Sequence, residues 1–267
     1  MPKLKLVTWN INSVRLRIGI VTDLLEAQKP DVLCLQEIKV ETGSFPSKEF
    51  TKLGYVHQAV NGQKGYHGVA ILSRVPLEKI ASKDFCEKGD ARHVQATLPG
   101  GIELHNFYVP AGGDIPDPKK NDKYAHKLDF VEEMDRMFAK RRDKARAAAI
   151  LVGDLNIAPR EHDVWSHKQL LDVVSHTPAE TERFEKARDA FGWIDVTREF
   201  VPESEKIYSW WSYRNQDWRK SDRGRRLDHV WASPALKGAF SSHAILKDAR
   251  DWKQPSDHVP VVVTLET

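Results

Sequence analysis

Two cysteines in 267 residues are too few for a disulfide framework, and their settings differ. Cys34 lies in the apolar run Asp31-Val32-Leu33-Cys34-Leu35 as a small buried hydrophobe, whereas Cys86 lies in a polar loop. The chain has no run of about 18 apolar residues, which excludes a membrane-spanning helix. It enters the strand Leu4-Lys5-Leu6-Val7 without the apolar h-region of a secretory signal. A cytoplasmic address with no membrane partner is therefore expected. An excess of one charge is also lacking: 41 Lys and Arg face 38 Asp and Glu, so the net +3 permits a polyanionic partner without requiring one. With no composition shift and no low-complexity linker, residues 1–267 are expected to form one α/β domain.

What is present is a set of apolar runs that each end in an acid or an amide. These are Trp9-Asn10-Ile11-Asn12, Leu35-Gln36-Glu37, Gly153-Asp154-Leu155-Asn156 and Leu227-Asp228-His229; near the C-terminus, Ser256-Asp257-His258-Val259-Pro260 sets an acid and a histidine just before a final apolar strand. Such runs read as buried strands, so oxygen ligands from distant segments are expected at one end of the sheets. Between them the pattern alternates. A strand at 4–9 is followed by Asn12-Ser13 as a helix cap, with Val14, Ile18, Val21 and Leu25 at helical spacing until Lys29-Pro30. Further strands are predicted at 31–36, 55–60, 69–73, 92–98, 102–109, 148–152, 208–211, 227–232, 242–246 and 259–265. Helices are predicted around 124–142 and after Thr177-Pro178-Ala179-Glu180, a capping box with proline at the first helical position. Residues 6–12 and 151–156 echo each other, each running a strand into a polar pair that ends in Asn, as two similar halves meeting at one site do. The architecture expected is an α/β sandwich of two mixed sheets with helices on their outer faces.

Taken singly, Glu37 is a strand cap, and Asp154 and Asn156 are turn formers. Together they suit metal-assisted hydrolysis. A magnesium or manganese ion takes oxygen ligands and is held by one or two carboxylates, a task that fits Glu37 with Asn10 and Asp257 beside it. Asp154 and Asn156 can accept a proton from water and orient it. His258, with Asp228 as orienting carboxylate, can be held as imidazolium against the charge growing on a phosphoryl oxygen. Tyr108, where the strand meets Pro110, carries a phenol able to reach a phosphate or to pack in the core. The segment Tyr208-Ser209-Trp210-Trp211-Ser212-Tyr213-Arg214, followed by Arg219, Lys220, Arg223, Arg225 and Arg226, interleaves aromatic and basic side chains as a nucleic-acid surface does. Because neighbouring strand residues face opposite ways, one of Trp210 and Trp211 is expected in the core and the other at the site.

In this order, Trp-Asn-Ile-Asn, Leu-Gln-Glu-Ile-Lys, Gly-Tyr-His-Gly-Val-Ala, Tyr-Val-Pro-Ala-Gly, Gly-Asp-Leu-Asn-Ile-Ala-Pro, Ser-Trp-Trp-Ser-Tyr-Arg, Arg-Leu-Asp-His and Ser-Asp-His-Val-Pro resemble the exonuclease III family of apurinic/apyrimidinic endonucleases over nearly the whole chain. The resemblance implies a four-layered αββα sandwich and a Mg2+ ion, with Mn2+ as substitute. It also implies action on double-stranded DNA: cleavage 5′ of abasic sites, repair of blocked 3′ ends and 3′ to 5′ exonuclease activity. It assigns Glu37, Asn10 and Asp257 to the metal, and Tyr108, Asp154, Asn156, Asp228 and His258 to catalysis. Lys39, Trp210, Trp211, Arg214, Arg223 and Arg225 are assigned to DNA, with Trp210 at the abasic pocket, and a monomer is expected. Ala111 departs from family members that carry Gln or Asn there, so a polar DNA contact is missing. His162, His167 and His176 are spaced too irregularly for a zinc site. The rivals are a relative acting on RNA or phosphoinositides with the same metal core, and a DNA-binding module without activity.

Overall fold

The computed structural model describes residues 3–215 and 217–266. Its strands and helices run β1 (Lys3–Asn10), α1 (Ile18–Gln28), β2 (Val32–Gln36), α2 (Ser47–Lys52), β3 (His57–Asn61), β4 (Val69–Ser73), β5 (Glu78–Ala81), β6 (His93–Leu98), β7 (Ile102–Tyr108) and α3 (Asp122–Ala139). There follow β8 (Ala149–Asp154), α4 (His167–Leu170), α5 (Pro178–Phe191), β9 (Ile194–Asp195), α6 (Val196–Phe200), β10 (Trp210–Trp211), α7 (Trp218–Ser221), β11 (Gly224–Arg225), β12 (Asp228–Ala232), β13 (Phe240–Ile245) and β14 (Val261–Glu266).

Two six-stranded sheets result, ordered β13-β14-β1-β2-β4-β3 and β9-β12-β8-β7-β6-β5. Taken in that direction, both sheets show the same senses: two antiparallel pairings, one parallel, then two antiparallel. β1 and β8 hold equivalent places, which is the structural content of the echo between residues 6–12 and 151–156.

The layering follows from alternation along strands buried on both faces. Leu6, Val32, Cys34 and Ile71 of the first sheet pack against Val94, Leu104, Ile150 and Val230 of the second. Their neighbours Val7, Leu33, Leu35 and Leu72 turn outward to Val21, Leu24 and Leu25 of α1 and Phe50 of α2. On the other side Phe107, Leu151 and Trp231 meet Phe130, Val131 and Phe138 of α3 and Phe184 and Phe191 of α5. Helix, sheet, sheet and helix thus form the four layers.

The capping box of α5 forms as its sequence predicts, with Thr177 accepting from Glu180 N, and Gly192 closes the helix in the left-handed region at φ 78. Elsewhere tertiary contacts override local signals. α1 starts at Ile18 rather than at Asn12-Ser13, and the two expected cap residues adopt φ 47 and 86. Asn12 instead spends its side chain on Lys39 and Asp257. The expected strand 208–211 contracts to the ribbon β10–β11, outside both sheets. β5 has no counterpart among the expected strands: all four of its residues are exposed at a sheet edge, so no alternating apolar pattern marks it. Among the described residues no helix is long and apolar enough to cross a membrane.

Candidate active site

Strand sense brings the polar residues together. β1 and β2 are parallel, so Asn10 and the residue after Gln36, Glu37, leave the first sheet at one edge. β14 runs antiparallel to β1 and enters at that same edge, which delivers Asp257 and His258. In the second sheet Tyr108 and Asp154 pair at the ends of parallel β7 and β8, and antiparallel β12 enters with Asp228 opposite Asp154. Only glycine fits at 153: its φ is 140, and a Cβ there would lie 1.9 Å from the Phe107 carbonyl oxygen. Glu37, Lys39 and Asn156 also sit at positive φ, 55, 52 and 53. Such backbone costs about 1 kcal/mol or more per residue and persists only where surrounding bonds hold it.

Those bonds are specific. Asn10 Nδ2 donates to Glu37 Oε2 at 3.0 Å and to Asp154 Oδ2 at 2.8 Å, while Asn10 Oδ1 accepts from Asn12 N. Asn156 donates its main-chain N to Asp154 Oδ1 at 2.9 Å, and its Nδ2 to Asp154 Oδ2 at 3.0 Å and the Val109 carbonyl at 2.9 Å. His258 Nδ1 meets Asp228 Oδ2 at 2.8 Å, and its Nε2 faces Asp154 Oδ2 at 3.6 Å. Asp257 accepts from Trp210 Nε1 at 2.9 Å and Asn12 Nδ2 at 3.1 Å. Lys39 Nζ pairs with Glu37 Oε1 at 2.8 Å.

Charge follows from this packing. Burial pushes the Asp154 carboxyl up to about 7, against the pull of His258 and the hydrogen bonds from Asn10 and Asn156. Burial disfavours a charged His258, yet Asp228, Asp154 and Asp257 around it prevail and push it up to about 10. Burial raises the Tyr108 phenol well above its ordinary value, with Glu37 and Asp154 adding to the effect. Near neutrality the group is an imidazolium flanked by carboxylates, with Asp154 able to take or give a proton.

One oxygen or nitrogen each from Asp154, Asp228 and His258 lies within 4.8 Å of the others, an acidic grouping of the kind that holds a divalent cation. A protonated His258 has no lone pair to offer, so the ligand oxygens belong to the carboxylates. The buried Asp228 Oδ1 has no hydrogen-bond partner, and Glu37 Oε2 and Asp154 Oδ2 converge on the same Asn10 amide. This donor set fits a hard oxygen-seeking cation.

Glu37, Tyr108, Asp154, Asn156, Asp257 and His258 line a cleft of about 940 Å³, and Asn10 and Asp228 support it from beneath. Its far wall is aromatic and basic. Arg225 stands over Trp210 at 5.3 Å, Arg223 over Trp165 at 4.7 Å, and Arg214 lies exposed at the rim. Lys39 lines an adjoining cavity of about 720 Å³ that shares Glu37 and Tyr108.

Trp211 is the correction among the residues expected at DNA. It is 1% exposed, packs with Tyr208 and Trp218, donates to Asp222 and does not line the cleft. Main-chain pairing of residues 209–211 with 257–259 turns Trp210 toward Asp257 and its neighbour inward. Arg226 of the basic run is likewise internal, held by Asp163 and Asp195. Trp165, which carries no mark in the sequence, and Asn12, which reads as a helix cap, also line the cleft. Trp165 stands in the insertion after β8 with no periodic pattern around it, whereas the Asn-x-Asn pair at 10 and 12 was a usable signal.

A model described as the endonuclease/exonuclease/phosphatase family matches residues 7–258. The chain is 31% identical to an exodeoxyribonuclease III of Haemophilus influenzae, over 97% of this chain and 98% of that one. An AP endonuclease from Archaeoglobus fulgidus superposes with a TM-score of 0.91 at 34% identity, covering 99% of this chain and 100% of that one. A 3′ phosphatase from Neisseria, solved with a product DNA hairpin, superposes with a TM-score of 0.89 at 28% identity, again over 99% and 100%.

Proposed function

Because the chain belongs to the endonuclease/exonuclease/phosphatase family, we propose that it is a DNA-repair phosphodiesterase. It incises duplex DNA 5′ of abasic sites, clears blocked 3′ ends and degrades strands 3′ to 5′. The observation that carries this is the floor of the cleft. Glu37, Asp154 and the Asp228–His258 pair meet there, beside a wall of Trp210, Trp165 and arginines.

The reaction is an in-line attack of water on phosphorus. Asp154 accepts the water proton, and its affinity near neutrality suits a general base. Asn156 holds both Asp154 oxygens, so the base keeps one orientation. His258, charged and aimed by Asp228, binds the negative charge that grows on the phosphoryl oxygens. Glu37, with Asn10 and Asp257 close by, would hold a Mg2+ or Mn2+ ion, which would supply Lewis-acid charge at the phosphate when bound. Tyr108, against Glu37 and Asp154, faces the same phosphate.

An abasic nucleotide has already lost its stacking, so swinging it into a pocket lined by Trp210 costs less than flipping an intact one. Arg214, Arg223, Arg225 and Lys39 track the flanking phosphates. The location that goes with this reading is the cytoplasm, as expected from the sequence.

The test is a panel of abasic duplex, 3′-phosphate duplex, undamaged duplex, RNA and phosphoinositide, each with Mg2+ and with chelator. Metal-dependent cleavage of the first two is expected at rates well above the last two. Turnover confined to RNA or phosphoinositide overturns the proposal.

A further inference from the structure

Lys127 of α3 and Glu180 of α5 form an ion pair with no exposed side-chain surface, Nζ to Oε1 at 2.5 Å. Neither residue lines the cleft. Burying two charges is expensive, and an apolar pair of similar volume generally serves stability as well or better. The remaining bonds of this pair go to the walls of the site. Lys127 Nζ donates to the Asn156 carbonyl at 2.7 Å and the Ala111 carbonyl at 3.2 Å. Both Glu180 oxygens accept from Ser175 N at 2.9 Å, and Glu180 Oε2 also accepts from Thr177.

Three left-handed backbone positions surround the pair: Asn156 at φ 53, Ser175 at φ 89 and Gly112 at φ 88. A Cβ at Gly112 would lie 2.8 Å from Lys127 Cδ and 3.0 Å from Val174 Cγ1, so glycine is required where the lysine stem passes. Arg225 clamps the Val174–Ser175 wall from the cleft side, donating to Val174 O and Ser175 Oγ. Residue 111, the general-base loop at 154–156 and the 174–175 wall therefore share one buried anchor.

We propose that Lys127 and Glu180 are positioning residues for the hydrolytic site, holding Asn156, and through it Asp154, in register with the two facing walls. This rests on the site being a phosphodiester hydrolase. No substrate reaches the pair, so its effect falls on turnover more than on binding. Misplacement of a reacting group by about 1 Å costs on the order of 100-fold.

The experiment compares the full-length enzyme with Lys127→Met/Glu180→Gln, which removes both charges together and keeps an acceptor for Ser175 N. Glu180→Gln alone serves if the double variant does not fold. Thermal melting, amide exchange, and kcat and KM are measured with Mg2+ on an abasic duplex and on bis(p-nitrophenyl) phosphate. A folded variant is expected with kcat down about 10- to 100-fold on both substrates and KM within about threefold. Amides at 111–113, 154–158 and 173–177 should exchange faster together. A folded variant with kcat within about threefold of the parent overturns the proposal, as does a kcat loss with exchange unchanged in those segments. If the parent hydrolyses the small phosphodiester but no DNA, the DNA-repair assignment falls, and the positioning role is still decided by the small substrate and by exchange.

Discussion

Asn10 donates its Nδ2 to Asp154 Oδ2 at 2.8 Å, and this bond joins the end of β1 in one sheet to the end of β8 in the other. The same nitrogen reaches Glu37 Oε2, so one amide carries a carboxylate from each half of the site. Removing it does more than delete a contact, because the bond favours the ionised form of Asp154.

Asn10→Ala is therefore expected to raise the Asp154 pKa further above its value of about 7. The acidic limb of the kcat profile should move to higher pH, with a loss of roughly fivefold at pH 7 for a rise of one unit, narrowing at pH 9. A uniform loss across pH would refute the electrostatic part of this role.

Glu37→Ala and Asp154→Asn should fail differently. The first should raise the Mg2+ concentration needed for half-maximal rate, together with lower turnover. The second should bind abasic duplex nearly as well as the parent while kcat drops by about 10²- to 10⁴-fold. Titration of Mg2+ in turnover assays and fluorescence anisotropy on labelled duplex separate the two.

Asp228→Asn leaves a side chain of the same shape on His258 Nδ1 but removes the nearest charge that keeps the imidazole protonated. The alkaline limb of the rate profile should shift down from about 10 toward the ordinary histidine range. The NMR titration of the His258 ring gives the same quantity without turnover. An unmoved ring titration would dismiss Asp228 as its charge partner.

The two adjacent tryptophans should divide function from stability. Trp210→Ala is expected to lower the preference for abasic over undamaged duplex while melting shifts little. Trp211→Ala, which empties a buried aromatic site, should cost about 3–5 kcal/mol of stability, seen in urea unfolding. Loss of abasic preference in Trp211→Ala at full foldedness would invert this division.

Acid should unfold the protein earlier than its carboxylates alone require. His229 is fully buried, donates to Ile157 O from Nε2, and is pushed down to about 4 by burial and by Arg226. Between about 6.5 and about 4 the unfolded chain binds a proton there that the folded protein does not, so stability falls as pH drops through that window. The loss from this residue is on the order of 3 kcal/mol, and His229→Gln should flatten the fall in melting temperature.

The polar strand ends were legible because Asn10, Glu37 and Asp154 close apolar runs, whereas Asp228 and His258 stand just before one, a pattern confined to a few consecutive residues. Pairing across the molecule was less so. Asn12 has every local mark of a helix cap, yet Lys39 and Asp257 claim its side chain. Trp165 stands in an insertion whose sequence says nothing about the cleft it enters, and Lys127 reads as one more cation on an amphipathic helix, although it is fully buried.

The amino-acid order by itself determined where most of the strands lie, how α5 is capped and which residue types are available for hydrolysis, since these depend on neighbours a few positions apart. Only the tertiary structure decided that Trp210 faces Asp257 while Trp211 is core, and that Arg225 lines the cleft while Arg226 is sealed against Asp163. Period-two alternation states that adjacent side chains point opposite ways. Which way is inward is set by the register of residues 209–211 on 257–259, a pairing of segments some 50 positions apart.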